Sequence, residues 1–324
     1  MRVMMVGRGV TSTLYGWAFA QAGHEVRYYV RPGRAAALGG KVELDLLDAR
    51  KEARGKPVRE SLPTECVESL DGLGECDLAI LSVRHDQMRA GAEQLARAPR
   101  PRLGVLFFNN LWEDPKSLND LFEPGRSLWG FPVAGGAFKA DGSLVGSIMG
   151  TVHLEAGTAE GQMLRKEIAG LFDSMGVAQK ERQDMRAWLW LHFVVNAVVV
   201  AQAVKYGKGI EGLLASGSQL SEVARLAREG IQVVYKRGVD PKSETGEATM
   251  GTAPAFIAGR VMKKAASNPA MRRMMVGGGD VGQAVDYPLL VLAEARRLGV
   301  ECPRLSETEP ALRALAGTKE QKKQ

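Results

Sequence analysis

Gly7 and Gly9 break the first apolar run of the chain, Met1 to Val6, in the stretch Gly7-Arg8-Gly9-Val10-Thr11-Ser12. Glycines at this spacing, ahead of helix-forming residues, suit the holding of an anion on backbone. Gly7 permits a tight turn and Gly9 lets the main chain approach a pyrophosphate. Val10, Thr11 and Ser12 then present the unpaired N–H groups and partial positive charge of a helix N-terminus. The third position of the motif is Ser12 rather than Gly, so helix and strand are expected to pack slightly less closely. A second strand, Glu25 to Val30, ends at Arg31, with Arg34 three residues on. An acidic residue there would hold ribose hydroxyls, whereas a guanidinium suits a 2′-phosphate, so the pattern points to NADP(H) over NAD(H).

Proton-transfer chemistry has fewer sources. The chain has 4 histidines. His24, His85 and His153 fall in a turn, after a strand end and within an alternating strand. His192 differs: it lies in the uncharged stretch Ala187 to Val204, one helical turn before Asn196, so both side chains leave one face of a helix. Polar groups on an otherwise apolar helix either bond within a core or line a cleft, and periodicity alone leaves both open.

These residues need elements to position them. Strand, glycine turn, helix and strand over residues 1–31 form a βαβ unit. Pro32 to Gly40 reads as a short helix, and Val42 to Leu47 with Val58 to Val67 as strands of an edge hairpin. Asp77 to Val83 and Arg102 to Phe108 read as buried parallel strands. Their endings, Arg84 with Gln87 and Asn109 with Asn110, fall at strand carboxyl ends, where open α/β sheets bind ligands. Arg84, Gln87 and Asn110 are therefore candidate cofactor contacts. Ser127 to Gly157 is rich in small residues and alternates, which suggests strands and turns completing a first domain. Thr158 should cap an amphipathic helix to Met175, and Val177 to Lys180 should be a last strand. From Asp184 the pattern is helical, over Gln219 to Arg237, Gly251 to Ala266 and Gln283 to Gly299. The expected organisation is a Rossmann-type α/β domain over 1–181, an all-helical domain over 182–316, and a disordered polar tail over 317–324.

Composition narrows the class. With 324 residues, two domains are the natural division, and 45% hydrophobic with 25% charged residues is the balance of a globular protein. A net charge of +6 suits an anionic cofactor and an anionic small-molecule substrate, while the scattered basic residues form no nucleic-acid patch. Cys66, Cys76 and Cys302 lack metal-ligand spacing, and their odd number argues against a disulfide framework. A reducing, cytoplasmic location without a secretory signal is expected. The apolar stretch Ala187 to Val204 contains His192, Asn196 and Gln202, and a buried helix accounts for it more economically than a membrane span. A homodimer is compatible with the sequence but not specified by it.

The motifs, in order, resemble the ketopantoate reductase family: GRGVTS, Arg31, LSVRHDQ, FFNNLWED, GGAFKADGSLVGSIMGTVHLEAG, WLWLHFVVN and VDYPLLVLAEARRLGVECP. The resemblance covers most of the chain. It implies an NADP-binding Rossmann domain joined to an all-helical domain, and hydride transfer to a 2-oxo acid. Under it, Arg84 stands where the family has a cofactor-binding Lys and Gln87 where it has Gln. The family's catalytic Lys falls on His192, its first helix Asn on Asn196 and its second on Val200. An acidic position falls on Ala284, while Asp286 and Tyr287 remain. The cofactor half is thus kept and the substrate half rewritten, with His192 as general acid and Asp280 or Asp286 as its acidic partner. Two further readings stay open: an opine- or imine-forming dehydrogenase, a type that also uses a histidine acid, and a non-catalytic NADP(H)-binding sensor.

Overall fold

The computed structural model describes residues 1–243, 252–277 and 281–321. They divide into two compact units. The first comprises Met1–Met185 with Pro269–Gly277, and the second Arg186–Asn268 with Gly278–Gln324. The division follows Met185 rather than residue 181, and a short helix from far along the chain joins the first unit.

The first unit is built on a 10-stranded sheet of order β4-β3-β9-β8-β7-β6-β1-β2-β5, with β10 beside β9. The strands are β1 (Arg2–Val6), β2 (Glu25–Tyr29), β3 (Lys41–Ala49), β4 (Lys56–Pro63), β5 (Glu65–Val67), β6 (Leu78–Leu81), β7 (Gly104–Phe108), β8 (Ser127–Phe138), β9 (Leu144–Glu155) and β10 (Ala178–Arg182). β5, β2, β1, β6, β7 and the start of β8 are parallel. Their near-continuous Val, Leu, Ile and Phe are what a sheet buried on both faces requires. The stretch Val58 to Val67, expected as one strand, is two. Pro63 cannot extend the ladder, so the chain breaks there. Lys56–Pro63 pairs antiparallel with β3 at one edge, and Glu65–Val67 pairs parallel with β2 at the other.

Helix α1 (Val10–Gln21) is apolar all round, the composition of a helix surrounded by protein. Ser12 through Phe19 are all buried. Tyr15 packs edge-on against Phe108 with ring centroids 4.7 Å apart, and its hydroxyl accepts a hydrogen bond of 3.1 Å from the Val133 N–H in β8. Trp17 Nε1 donates to Glu60 of β4, and the Arg50 guanidinium lies 4.7 Å over the Trp17 ring. Close packing against β2 occurs at Gly16, where a Cβ would sit 2.1 Å from the Tyr28 hydroxyl oxygen. The close approach therefore falls one turn beyond Ser12.

α2 (Ala35–Leu38), α3 (Met88–Arg97), α4 (Lys116–Asn119) and α5 (Gln162–Ser174) complete the connections. α5 starts four residues later than expected. The Thr158 hydroxyl accepts from Gly161 N–H at 3.2 Å, which shapes the preceding turn instead of capping the helix.

The second unit contains α6 (Met185–Tyr206), α7 (Gly209–Ala215), α8 (Gly217–Lys236), α9 (Ala255–Ala266), α11 (Asp286–Leu298), α12 (Pro303–Ser306) and α13 (Glu309–Gln321). α6 opens at the last residue of the first unit. The intervening α10 (Pro269–Gly277) belongs to the first unit. α6 is long and apolar enough to cross a membrane, and 72% of its apolar window is buried within the protein. Ser216 caps α8, accepting from Gln219 N–H. α9 lies close on α8 at Gly259, where a Cβ would come within 2.6 Å of Ser221 Oγ. The expected helix start at Gly251 falls outside the described residues. α11 begins at Asp286 rather than Gln283, after a short 3-10 turn over Val281–Ala284. The tail expected to be disordered from Gly317 instead carries α13 on to Gln321; Glu309 in its first turn bonds Arg313 at 2.7 Å, and Ala and Leu favour the helix.

α10 explains the small residues of β8 and β9. Ser147 Oγ donates to Ala270 O at 2.6 Å and Arg273 reaches Asp45 at 2.8 Å. A Cβ at Gly277 would lie 2.4 Å from Gly136 Cα, and one at Gly135 would lie 2.8 Å from Met274 O. Larger side chains in the strands would keep the helix off the sheet.

Gly16→Ala should lower stability by about 1–3 kcal/mol in urea denaturation, the usual cost of overpacking. Adding Tyr28→Phe should recover part of the loss, since the Tyr28 hydroxyl is buried without a hydrogen-bond partner among the described residues, while the ring carbon Cζ stays 2.8 Å from the added Cβ. Additive losses would show that the two groups do not meet.

Candidate functional site

The sheet has its topological switch between β1 and β6: from β1 the chain moves outward to β2 and β5, and β6, β7 and β8 then build the other side. At such a point the connections diverge and leave a crevice at the strand carboxyl ends. A cleft of about 420 Å³ lies there, lined by Gly7, Gly9, Arg31, Arg34, Arg84 and Gln87 among others.

The turn at its base is shaped by two different glycines. Gly7 has φ +97°, and a Cβ on it would meet Val83 Cγ1 at 3.0 Å and Ser82 O at 3.3 Å. Backbone conformation and lack of space both demand glycine. Gly9 is the N-cap of α1 in ordinary extended conformation, and a Cβ there would meet nothing within 4 Å. Its role is to leave room above the main chain. No side chain caps α1, so the first N–H groups of Val10, Thr11 and Ser12 are left to an outside acceptor. The residues fit a pyrophosphate: an open glycine, an uncapped helix start and a cleft above both.

Ser12 is fully buried and its hydroxyl donates to Ser82 O at 3.2 Å, fastening the helix to the end of β6. Its side chain therefore supports the turn, and only its backbone is available to a ligand. Arg8, between the two glycines, also lines the cleft and donates to Thr64 Oγ1 at 3.3 Å.

Arg31 and Arg34 sit exposed on the lip of the cleft. The Arg34 N–H donates to Arg31 O at 3.1 Å, and Gly33 between them has φ +78°. With Pro32 second, this is the Pro-Gly pattern of a tight turn, and it places the two arginines at its corners. Opposite, Arg84 forks onto Asp86 with Nε to Oδ1 at 2.9 Å and Nη2 to Oδ2 at 3.2 Å. Burial alone would raise the Asp86 carboxyl, but the Arg84 guanidinium holds it below the usual carboxylate range. Gln87 follows on the same short turn.

The two asparagines after β7 divide the work differently from the expectation for Asn110. Asn109 Nδ2 donates to Val83 O and its Oδ1 accepts from the Asn110 N–H at 2.8 Å, tying the end of β7 to the end of β6. Asn110 is 2% exposed, accepts from the Leu111 N–H at 3.0 Å, and does not line the cleft. The part of Asn109, Ser82 and Val83 is to shape backbone, which leaves no charge or spacing signal in the sequence.

In the second unit, His192 and Asn196 lie one turn apart on α6, both half-buried amid the buried Trp188, Phe193 and Ala197. The imidazole stacks on Trp188, with centroids 4.9 Å apart and planes 12° from parallel. Tyr287, at the start of α11, stacks on Phe193 at 4.3 Å. Val200 is buried. Asp286 is the first residue of α11, whereas Asp280 lies outside the described residues.

Residues 3–159 match the family model described as ketopantoate reductase PanE/ApbA. The matched stretch lies within the first unit. The fold of the whole chain is similar to that of 2-dehydropantoate 2-reductase from Geobacter metallireducens GS-15, at 18% identity over 97% of this chain and 99% of that one, with a TM-score of 0.69. It is also similar to a PanE/ApbA family ketopantoate reductase from Ralstonia eutropha JMP134, at 17% identity over 99% and 100%, with a TM-score of 0.68. D-mandelate dehydrogenase, in a ternary structure with NADH and anilino(oxo)acetate, is 13% identical over 98% and 99%, with a TM-score of 0.69. Among proteins of curated function, none matches the sequence.

Gly7→Ala should cost about 1–3 kcal/mol of stability by thermal or urea unfolding, because the residue is forced to positive φ against Val83. Gly9→Ala should stay within about 1 kcal/mol of the parent, since neither conformation nor space opposes it. A reversed order would contradict the separate roles assigned to the two glycines.

Proposed function

We propose that this chain is an NADPH-dependent reductase acting on the carbonyl of a small, anionic 2-oxo acid, 2-dehydropantoate or a relative of it. The observation that carries this reading is the cleft at the β1/β6 switch, where an open glycine and an uncapped helix start lie below two arginines. A dinucleotide with an extra phosphate on its ribose matches that order of features. Bound NADPH supplies a hydride to the carbonyl carbon.

The protein's own part is to orient and to move a proton. The N–H groups of Val10, Thr11 and Ser12 hold the pyrophosphate, and Arg31 with Arg34 takes the 2′-phosphate through charge-assisted hydrogen bonds. Arg84 and Gln87 close the opposite wall. His192 gives a proton to the substrate oxygen as general acid, and Asn196 orients the imidazole or that oxygen. Support for the pair is that they are the polar side chains on the partly exposed face of α6, which Val195 and Val199 share. The family match of the first unit and the oxoacetate ligand in the mandelate dehydrogenase structure favour a 2-oxo acid. That same structure contains NADH, which supports a second reading in which NADH serves as well.

The test is NADPH oxidation followed by absorbance, with 2-dehydropantoate and a panel of 2-oxo acids, each with and without amino acids. Turnover of a 2-oxo acid alone supports the reading, and turnover only when an amine is present would replace it with imine reduction. Tight NADPH binding with no turnover would replace it with a sensor. Arg31→Ala should weaken NADPH roughly tenfold or more and NADH hardly at all, as expected for loss of one charge-assisted phosphate contact. Equal losses would remove the case for NADPH. His192→Ala should lower kcat by about 10²–10⁴ with NADPH affinity nearly unchanged, and an unaltered kcat would exclude this general acid.

A further inference from the structure

The turn that carries the two arginines is held by a residue from another strand. β5 pairs parallel with β2, and beyond the last rung the Val30 N–H donates to Val67 O at 2.9 Å. The next residue, Glu68, is half-buried and sends its carboxylate across to the arginine turn, where Oε1 accepts from the Ala35 N–H at 2.7 Å. The N–H groups of Ala35 and Gly33, together with that of Arg34, hold the Glu68 carboxyl below the usual carboxylate range against a smaller cost of burial. The carboxylate thus bonds the main chain at the end of the arginine turn.

The rest of the turn has little else to fix it. Arg31, Pro32, Gly33 and Arg34 are all exposed, and no residue of α2 is buried. Its own closure is the 3.1 Å hydrogen bond from Arg34 N–H to Arg31 O. A solvated Pro-Gly turn of this kind would otherwise sample many orientations, and a phosphate would have to order it on binding.

We propose that Glu68 is a specificity-positioning residue: by bonding the Ala35 N–H at the end of the turn it sets Arg31 and Arg34 in advance for the 2′-phosphate of the dinucleotide. The inference rests on the NADPH reading above and deepens it. Glu68 touches neither arginine side chain in this role. It acts through the main chain, and the short β5, the segment split from the expected edge strand by Pro63, exists in the fold at the place that delivers it.

A competing effect has the opposite sign. A carboxylate beside the phosphate site would repel the ligand, so its removal would strengthen binding. The hydrogen bond from the Ala35 N–H lowers its reach as a bare charge, and solvent at the exposed lip screens the remainder, so positioning should win.

Adenosine 2′,5′-bisphosphate and adenosine 5′-monophosphate, measured by calorimetry on the full chain, separate the possibilities. The parent should prefer the bisphosphate. Glu68→Ala should weaken the bisphosphate about tenfold and the monophosphate by less than about twofold, and Glu68→Gln, which keeps one acceptor, should fall between. In an Arg31→Ala, Arg34→Ala background the Glu68 substitution should have no further effect. Hydrogen exchange of the Gly33, Arg34 and Ala35 amides should accelerate in Glu68→Ala, while the Gly7 to Ser12 turn stays as in the parent. Preserved preference in a folded Glu68→Ala protein would overturn the inference and leave the NADPH reading standing. Stronger bisphosphate binding would establish repulsion instead. A parent with no preference for the bisphosphate would overturn the NADPH reading, and this inference with it.

Discussion

Everything in the first unit depends on how closely one apolar helix can be seated against the sheet. α1 has no polar face to turn toward solvent, so the chain must surround it. The parallel strands β1 and β2 cover one side, and the hairpins of β3 with β4 and β8 with β9 cover the rest. The contacts are specific where they meet it. Gly16 admits the Tyr28 hydroxyl, Tyr15 bonds the backbone of β8, and Trp17 reaches Glu60. With the helix axis fixed in this way, its N-terminus has only one place to point, over the ends of β1 and β6.

The cleft follows from that placement. A helix start without a side-chain cap is a cost if it remains unsatisfied, and it becomes a binding feature when an anion can reach it. Gly7 bends the chain so that the helix begins there, while Gly9 keeps the approach open. Ser12 and Asn109 lock the neighbouring backbone from below, the first through Ser82 O and the second through Val83 O. The exposed charges are on the rim. Arg31 and Arg34 stand on one lip, and Arg84, forked onto Asp86, stands on the other. Buried hydrogen bonds thus carry the shape, and exposed guanidinium groups line the rim.

The second half of the chain contributes to both units. α6 and α8 form a helical unit of their own, whereas α10 leaves it to lie on β3, β8 and β9. That contact depends on the absence of side chains in the strands, at Gly135 and Gly136, as much as on any attraction. On α6 the polar side chains of His192 and Asn196 lie one turn apart. Their spacing puts them on one face, and Trp188 fixes the imidazole plane by stacking.

Much of this was legible from sequence. The βαβ unit, the glycine turn, the arginine after β2 and the buried α6 all rest on local patterns: spacing of glycines, run length of apolar residues, and residue type at a strand end. Local patterns are sufficient there because each role is carried by a few consecutive residues. Other features depend on partners far along the chain. Nothing near Val58 to Val67 says that its two halves pair at opposite edges of one sheet. Pro63 marks a break, but only β2 and β3 decide where each half goes. Nothing near Gly16 announces Tyr28, and nothing in Pro269–Gly277 says that this helix joins the first unit. Asn110 carries the more suggestive motif position, yet Asn109 holds the strand ends together, because which side chain faces Val83 is set by the register of β6 and β7. Glu68 is an ordinary acid in a loop until the parallel pairing of β5 with β2 brings it to the arginine turn. Sequence determined the elements and the kind of chemistry they can support. The tertiary structure decided which backbone groups those elements bring within hydrogen-bonding distance, because that distance is set by strand register and helix seating rather than by any neighbour in the chain.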